Sequence, residues 1–263
     1  MGWINVRLII FALLASLLVA CTAVPVVNES NLKKAAEANA KLGLAYMQQG
    51  RNETALHKLL KAVKEDPQNA DAHQYLAVLY GRLQRPKLAG QHFRKALEIM
   101  PDSSLSSRVA AVRNNYAVFL CEQKHYDEAK GYFAKVLKDP LYQLRDRLFE
   151  NMARCEQNKG NLHQAEEFYN KALKLNPRSR KSLLGLAQIT YDKGLYDQTQ
   201  VYLNKFLKYN GTHNAESLWL ALLVQRQRGN TKRVAEYAIR LKSKYPDAKE
   251  TQLLKQLEMQ DSR

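Results

Sequence analysis

Chain breakers are scarce in this sequence. Its 263 residues include only 11 Gly and 7 Pro, and long stretches carry neither. Alternating β-branched patterns are nearly missing too, which argues against a sheet. Cysteine occurs three times and never as C-x-x-C, so a zinc ribbon or a thioredoxin-like redox site is not expected. The six histidines (His57, His73, His92, His125, His163 and His213) form no i, i+4 ligand pair. A Gly-rich phosphate loop and a G-x-S-x-G elbow are also missing. These absences point away from catalysis, and neither a metal nor a cofactor is expected.

What remains is rich in Ala, Leu, Lys, Gln and Glu, all good helix formers. With 46% hydrophobic and 25% charged residues, the chain has the balance of a folded, all-α protein. The formal net charge is +16. The basic residues are spread along the chain, so they form mainly a solvated surface. An acidic protein or an anionic membrane is a more natural partner than nucleic acid, which is not expected.

The first twenty residues read as a secretory signal. Leu8 to Ala20 is apolar apart from Ser16, too short to span a membrane comfortably, and ends on a small residue. Leu18-Val19-Ala20-Cys21 resembles the bacterial lipobox, which places cleavage before Cys21 and lipid on its thiol. Each buried methylene contributes about 0.8 kcal/mol, so several acyl chains make a lasting anchor where one would be marginal. Thr22 follows, and the absence of Asp there resembles the sorting signal for the outer membrane. Removal of residues 1–20 takes Arg7 away and leaves a charge of +15. Residues 21–34 then form a lipidated tether; about ten extended residues reach roughly 35 Å.

The rest of the chain repeats. Tyr46 and Tyr80, Ala55 and Ala89, Ala62 and Ala96, and Pro67 and Pro101 are each 34 residues apart. Period and residue types resemble the tetratricopeptide repeat, a helix–turn–helix unit. Six units are expected, over 36–69, 70–103, 110–143, 146–179, 180–213 and 214–247, with 248–263 as a capping helix and tail. In such a unit, small residues at positions 8 and 20 face each other where helices A and B cross. Gly50, Gly160 and Gly194 fall at position 15, with Gly229 one place later, and suit a left-handed turn after helix A. Thr199 stands where repeat five should carry its second small residue. The resemblance implies a right-handed superhelix whose A helices line a concave surface through positions 2, 5, 6, 9, 12 and 13.

Those positions name the binding candidates. Asn115 and Asn151 both fall at position 6 of successive units, with Asn114, Val118, Arg147, Glu150 and Arg154 around them. Side-chain amides can hold a peptide main chain, or they can satisfy neighbouring helix ends. The two Arg can engage carboxylates or pair with Glu150. The carboxylate clamp of chaperone-binding repeats wants Lys and Asn early in repeat one, where this chain has Ala40 and Leu44. Cys121 and Cys155 lie on adjacent A helices, and an oxidising compartment permits a bond. Their repeat positions, 12 and 10, point differently, which argues against one.

A lipobox followed by six such repeats resembles the type IV pilus biogenesis lipoproteins of the PilF/PilW pilotin family. The stretch Arg113 to Ala129 is similar to the family's R-N-N-Y-G-x-F-L-x-x-Q-x-x-Y-x-E-A, and Arg147 to Ala153 to its R-x-x-E-N-L-G, with Ala replacing Gly in both. The resemblance implies a monomeric scaffold on the periplasmic face of the outer membrane, tethered to the inner leaflet through Cys21. Its expected partner is the pilus secretin, which it would help to localise and multimerise. The alternative is an adaptor for peptidoglycan hydrolases or for outer-membrane protein assembly.

Overall fold

The computed structural model describes residues 28–100 and 107–261. The signal segment, Cys21, most of the tether and residues 104–106 of the stretch between repeats two and three lie outside the described residues. Thirteen α-helices, and no strand, occur among the described residues. The chain divides into two compact units, residues 1–99 and 100–263.

The first unit holds two helical hairpins. Helices α1 (Glu29–Gln48) and α2 (Asn52–Glu65) form one, and α3 (Ala70–Arg82) and α4 (Pro86–Ile99) the other. Helix α1 starts at Glu29, capped by Asn28, whose side chain accepts a hydrogen bond from the Ser30 N–H. Residues 29–34, assigned to the tether from the sequence, are therefore helical. The second unit holds four hairpins and a last helix. The pairs are α5 (Ser107–Glu122) with α6 (Tyr126–Leu137), α7 (Arg145–Lys159) with α8 (Leu162–Leu175), α9 (Arg180–Asp192) with α10 (Tyr196–Asn210), and α11 (Ala215–Gln227) with α12 (Thr231–Lys244). Helix α13 (Lys249–Asp261) packs on α11 and α12 through Leu254, while the Thr251 hydroxyl donates to the Tyr245 carbonyl.

The hairpins follow from three features of each repeat. Small residues let the two helices approach: Ala55, Ala77, Ala89, Ala117, Ala129, Ala153, Ala165 and Ala187 are all fully buried. Opposite them, position 24 carries a large side chain. Leu59, Phe93, Phe133, Tyr169 and Leu203 occupy it in repeats one to five, and all are buried. Burying each such side chain contributes roughly 1.5–3 kcal/mol. Asn and Ser cap the helix starts: the side chains of Asn69, Asn161, Ser179, Asn214 and Asn230 each accept a backbone N–H from the first turn. The irregular Thr199 is also accommodated. It is fully buried, yet its hydroxyl bonds the Leu195 carbonyl at 3.1 Å and the Thr190 hydroxyl at 3.1 Å, so no polar group is left unpaired.

The turn after helix A is left-handed in every repeat. Gly50, Gly160, Gly194 and Gly229 supply it with φ between 70° and 90°. Repeats two and three reach the same conformation with Gln84 at φ 56° and Lys124 at φ 64°. Packing of the two helices therefore dictates the turn even where the residue resists it.

Candidate functional site

In the second unit the A helices α5, α7, α9 and α11 follow one another, and α7 and α9 enclose a cavity of about 590 Å³. Helix α7 contributes Glu150, Asn151, Arg154, Gln157 and Asn158. These are positions 5, 6, 9, 12 and 13 of repeat four. Helix α9 contributes Arg180, Lys181, Leu184, Gly185 and Gln188, and the start of α11 closes one end with Asn214 and Glu216. Of the sequence-derived candidates, Glu150, Asn151 and Arg154 line this cavity. Asn114, Asn115, Val118 and Arg147 are not among its lining residues.

The asparagine pairing differs from the expected one. Asn151 donates to the Oδ1 of Asn114 at 3.2 Å, so the rung between α5 and α7 joins positions 5 and 6. Asn114 is buried and Asn115 only half-buried. Glu150 also has a structural partner. It is buried and accepts a short hydrogen bond from the hydroxyl of Ser179, the cap of α9. Arg154 lies 3.6 Å from Glu122 of α5, and Arg147 is exposed on the first turn of α7.

A disulfide links Cys121 and Cys155, with their Cα atoms 5.5 Å apart. Repeat positions 12 and 10 spoke against it, and that expectation is corrected. Residues three, four and seven apart share one face of a helix. The Asn114–Asn151 rung and the cystine are seven residues apart on α5 but four apart on α7, so the two helices do not face each other in a constant register. Repeat numbering assumes a constant one. Both cysteines are buried, and the bond fastens α5 to α7.

Tyr169 and Gly185 are the residues the sequence reading missed. Tyr169 belongs to helix α8, at a packing position, but its ring passes across α9 to line the cavity. It does so because position 6 of repeat five is Gly185; a Cβ there would lie inside the Tyr169 ring. The phenol donates to the Oε1 of Gln157 at 2.9 Å. Burial pushes its pKa up to about 12, so it remains a donor. A small residue at a groove position, opposite a Tyr at position 24, was the available signal.

Electrostatically the cavity leans positive. Arg154, Arg180 and Lys181 are exposed cations, whereas Glu150 is buried beneath Ser179. Glu216 is exposed as a residue, but desolvation of its carboxyl, and then nearby Glu250, raise its pKa. The Arg180 guanidinium sits 5.8 Å from the centre of the buried Phe206 ring. No group of three or more His, Cys, Asp or Glu among the described residues is placed to hold a metal. Among the described residues no helix is long and apolar enough to cross a membrane.

Comparison with known proteins agrees with this architecture. Tetratricopeptide-repeat families match residues 40–104, 109–139 and 147–179. The type IV pilus assembly protein PilF of Pseudomonas aeruginosa is 35% identical over 228 residues, spanning 87% of this chain and 88% of that protein. This chain belongs to the PilF/PilW family. The structure of P. aeruginosa PilF superposes with a TM-score of 0.68, covering 89% of this chain and all of that one. The structure of PilW, described as a widely conserved type IV pilus biogenesis factor, superposes with a TM-score of 0.72 at 27% identity, covering 83% of this chain and 97% of its own. An uncharacterised protein of Haemophilus influenzae shares 30% identity over 125 residues, about half of this chain. The Arg113–Ala129 and Arg147–Ala153 stretches lie in α5, α6 and α7 and supply the polar rung between α5 and α7.

Proposed function

We propose that this protein is a type IV pilus biogenesis scaffold of the cell envelope that holds the pilus secretin and promotes its localisation and multimerisation. The observation that carries the reading is the 35% identity to PilF across 87% of the chain. The cavity between α7 and α9 supports it, being a recess on successive A helices lined by amide and charged side chains. On this reading the protein works by holding rather than by catalysis. Acyl chains on Cys21 fix it to the inner leaflet of the outer membrane, and residues of α5, α7 and α9 grip a segment of the secretin.

Deletion of the gene, followed by electrophoresis of heat-stable secretin multimers, tests the proposal. Loss of multimers and of pili is expected; intact multimers with normal pilus function would overturn it. The anchor is tested separately. Cys21→Ser should release the protein from the membrane fraction, and retention there would remove the lipid from the account.

A further inference from the structure

Several acceptors of the cavity between α7 and α9 already have partners, while more of its donors remain open. Asn214 spends its Oδ1 on the Ser217 backbone N–H, as the cap of α11. Gln157 spends its Oε1 on the Tyr169 hydroxyl. Glu150 is buried and taken by Ser179. What these partners leave are the amide N–H groups of Gln157 and Asn214, the amide of Asn158, one N–H of Asn151 and the cations Arg180 and Lys181, with Arg154 3.6 Å from Glu122. On the acceptor side the Glu216 carboxylate and the Oε1 of Gln188, whose amide donates to Asp192, also remain. An amide carries two donors and a guanidinium five, so hydrogen-bonding capacity here is weighted towards donors. A ligand that fits must therefore bring acceptors, preferably charged ones.

The arrangement of the donors narrows the class. They come from α7, α9 and the start of α11, so a ligand that repeats its acceptors along a chain can meet donors on each helix. An extended peptide presents a carbonyl every residue, about 3.3–3.6 Å apart. A nucleic acid also repeats its anions, but binding its bases needs an exposed aromatic face. Tyr169 is 4% exposed and offers an edge, not a stacking platform. At about 590 Å³ the recess falls within the ~300–1,000 Å³ typical of small-ligand pockets, so it holds only a short segment.

We infer that this cavity is a docking site for a short, extended, acidic peptide segment, whose carboxylates meet Arg154, Arg180 and Lys181 and whose main-chain carbonyls meet the Asn and Gln side chains. The inference rests on the reading that repeats four and five form the partner-binding face, and it names the chemistry of the occupant. Gly185 acts as a positioning residue: it admits the Tyr169 ring, whose hydroxyl occupies the Oε1 of Gln157 and leaves that amide's N–H groups for a ligand.

The test uses the full-length protein extracted from membranes and two fluorescent ten-residue peptides, one alternating Ser and Asp, the other alternating Ser and Asn. Fluorescence anisotropy should show the Asp peptide binding at least tenfold tighter, weakening as salt is raised. Arg180→Glu with Lys181→Glu should abolish that preference while leaving the circular dichroism spectrum unchanged. Equal affinities for the two peptides would overturn the inference. So would a ten-nucleotide strand, or phosphatidylglycerol vesicles, binding tighter than the Asp peptide and responding to the same double substitution. The secretin reading is separated by expressing that double variant in cells. Lost peptide binding with intact secretin multimers keeps the acidic-segment site and dismisses the secretin as its occupant. Lost multimers with no peptide binding by the wild-type protein does the reverse.

Discussion

The two units are built from the same hairpin and spend their polar residues differently. In the first unit, polar groups close on one another. Asn39 donates to Glu65 at 2.7 Å, Arg82 to the Met47 carbonyl at 3.0 Å, and the rings of His73 and His92 meet with their Nδ1 atoms 2.9 Å apart. The Pro67 carbonyl can only accept, so the Nε2 of His73 donates to it and the Nδ1 of His73 accepts from His92. The second unit has such closed pairs too, but around α7 and α9 exposed cations and amides line a cavity, and a disulfide joins α7 to α5. One repeat pattern thus accommodates both arrangements, and the difference lies in side chains that the pattern leaves unspecified.

Four changes would break or sharpen this contrast. The largest concerns the cystine. Its loop spans 34 residues, and closing a loop of that size stabilises by about 3–4 kcal/mol in the chain-entropy account. Cys121→Ser with Cys155→Ser should lower the second unit's urea midpoint accordingly, read from Trp219, the single Trp beyond residue 20. Amide exchange in α1–α4 should be unchanged. A thiol titration of the unfolded wild-type protein that finds both cysteines free would remove the basis for the prediction.

Next comes Gly185→Ala, which forces a methyl into the Tyr169 ring and should cost about 1–3 kcal/mol, typical of overpacking. Gly43→Ala is the matching change in the first unit. There the added methyl meets the Cγ and Cδ2 of buried Leu59, an aliphatic side chain with no hydrogen bond to lose, so the loss should be smaller. Equal losses in denaturant titrations would undo the distinction between a ring held by Gln157 and a Leu without such a bond.

Acid should act on both units. Burial, and then His73, bring His92 to about 4; burial, and then Arg240, bring His213 to about 4. Both values lie below the ~6.5 of a free imidazole, so the folded chain binds fewer protons than the unfolded one. The stability these groups contribute is complete above about pH 6.5 and is lost as the pH falls through about 4. His92→Gln should reduce the acid sensitivity of α3 and α4, measured by amide exchange at two pH values, and leave α11 as sensitive as before. Undiminished loss in α3 and α4 would show that the His pair is not its source.

The smallest effect has the opposite sign. Gln84→Gly and Lys124→Gly, one in each unit, should each stabilise by about 0.5–1 kcal/mol, since both residues hold a left-handed turn that suits Gly. Thermal melts that fall instead would mean these side chains make contacts worth more than the turn strain.

The fold was legible because its signals are steric. A small residue at position 8 or 20 is required wherever two helices cross closely, and Pro after helix B marks the end of every repeat but the fifth, where Gly211 stands instead. The groove was partly legible: the register places Glu150, Asn151 and Arg154 on the inner face because helix periodicity fixes direction. It places Lys181 and Gln188 there equally well, at positions 2 and 9 of repeat five, but attention to Asn pairs passed over them. What stayed hidden depends on which residues face each other across α5 and α7, where the register is not constant. Asn151 meets Asn114 rather than Asn115, and Cys121 reaches Cys155. The reach of Tyr169 depends on a missing side chain in another helix, a long-range coincidence that no local pattern records.

The cystine also bears on how the molecule comes apart. Repeat arrays are quasi-one-dimensional, each hairpin leaning on its neighbours, so disorder entering at an end can travel inward one unit at a time. A bond between the A helices of repeats three and four interrupts that path. Fraying that starts at α13 can consume repeats six and five, but it then meets an interface that cannot separate without reduction. The cavity wall formed by α7 lies just on the protected side of that stop, while the wall formed by α9 belongs to the repeats lost first, so fraying from the C-terminal end would open the cavity before it unfolds α7.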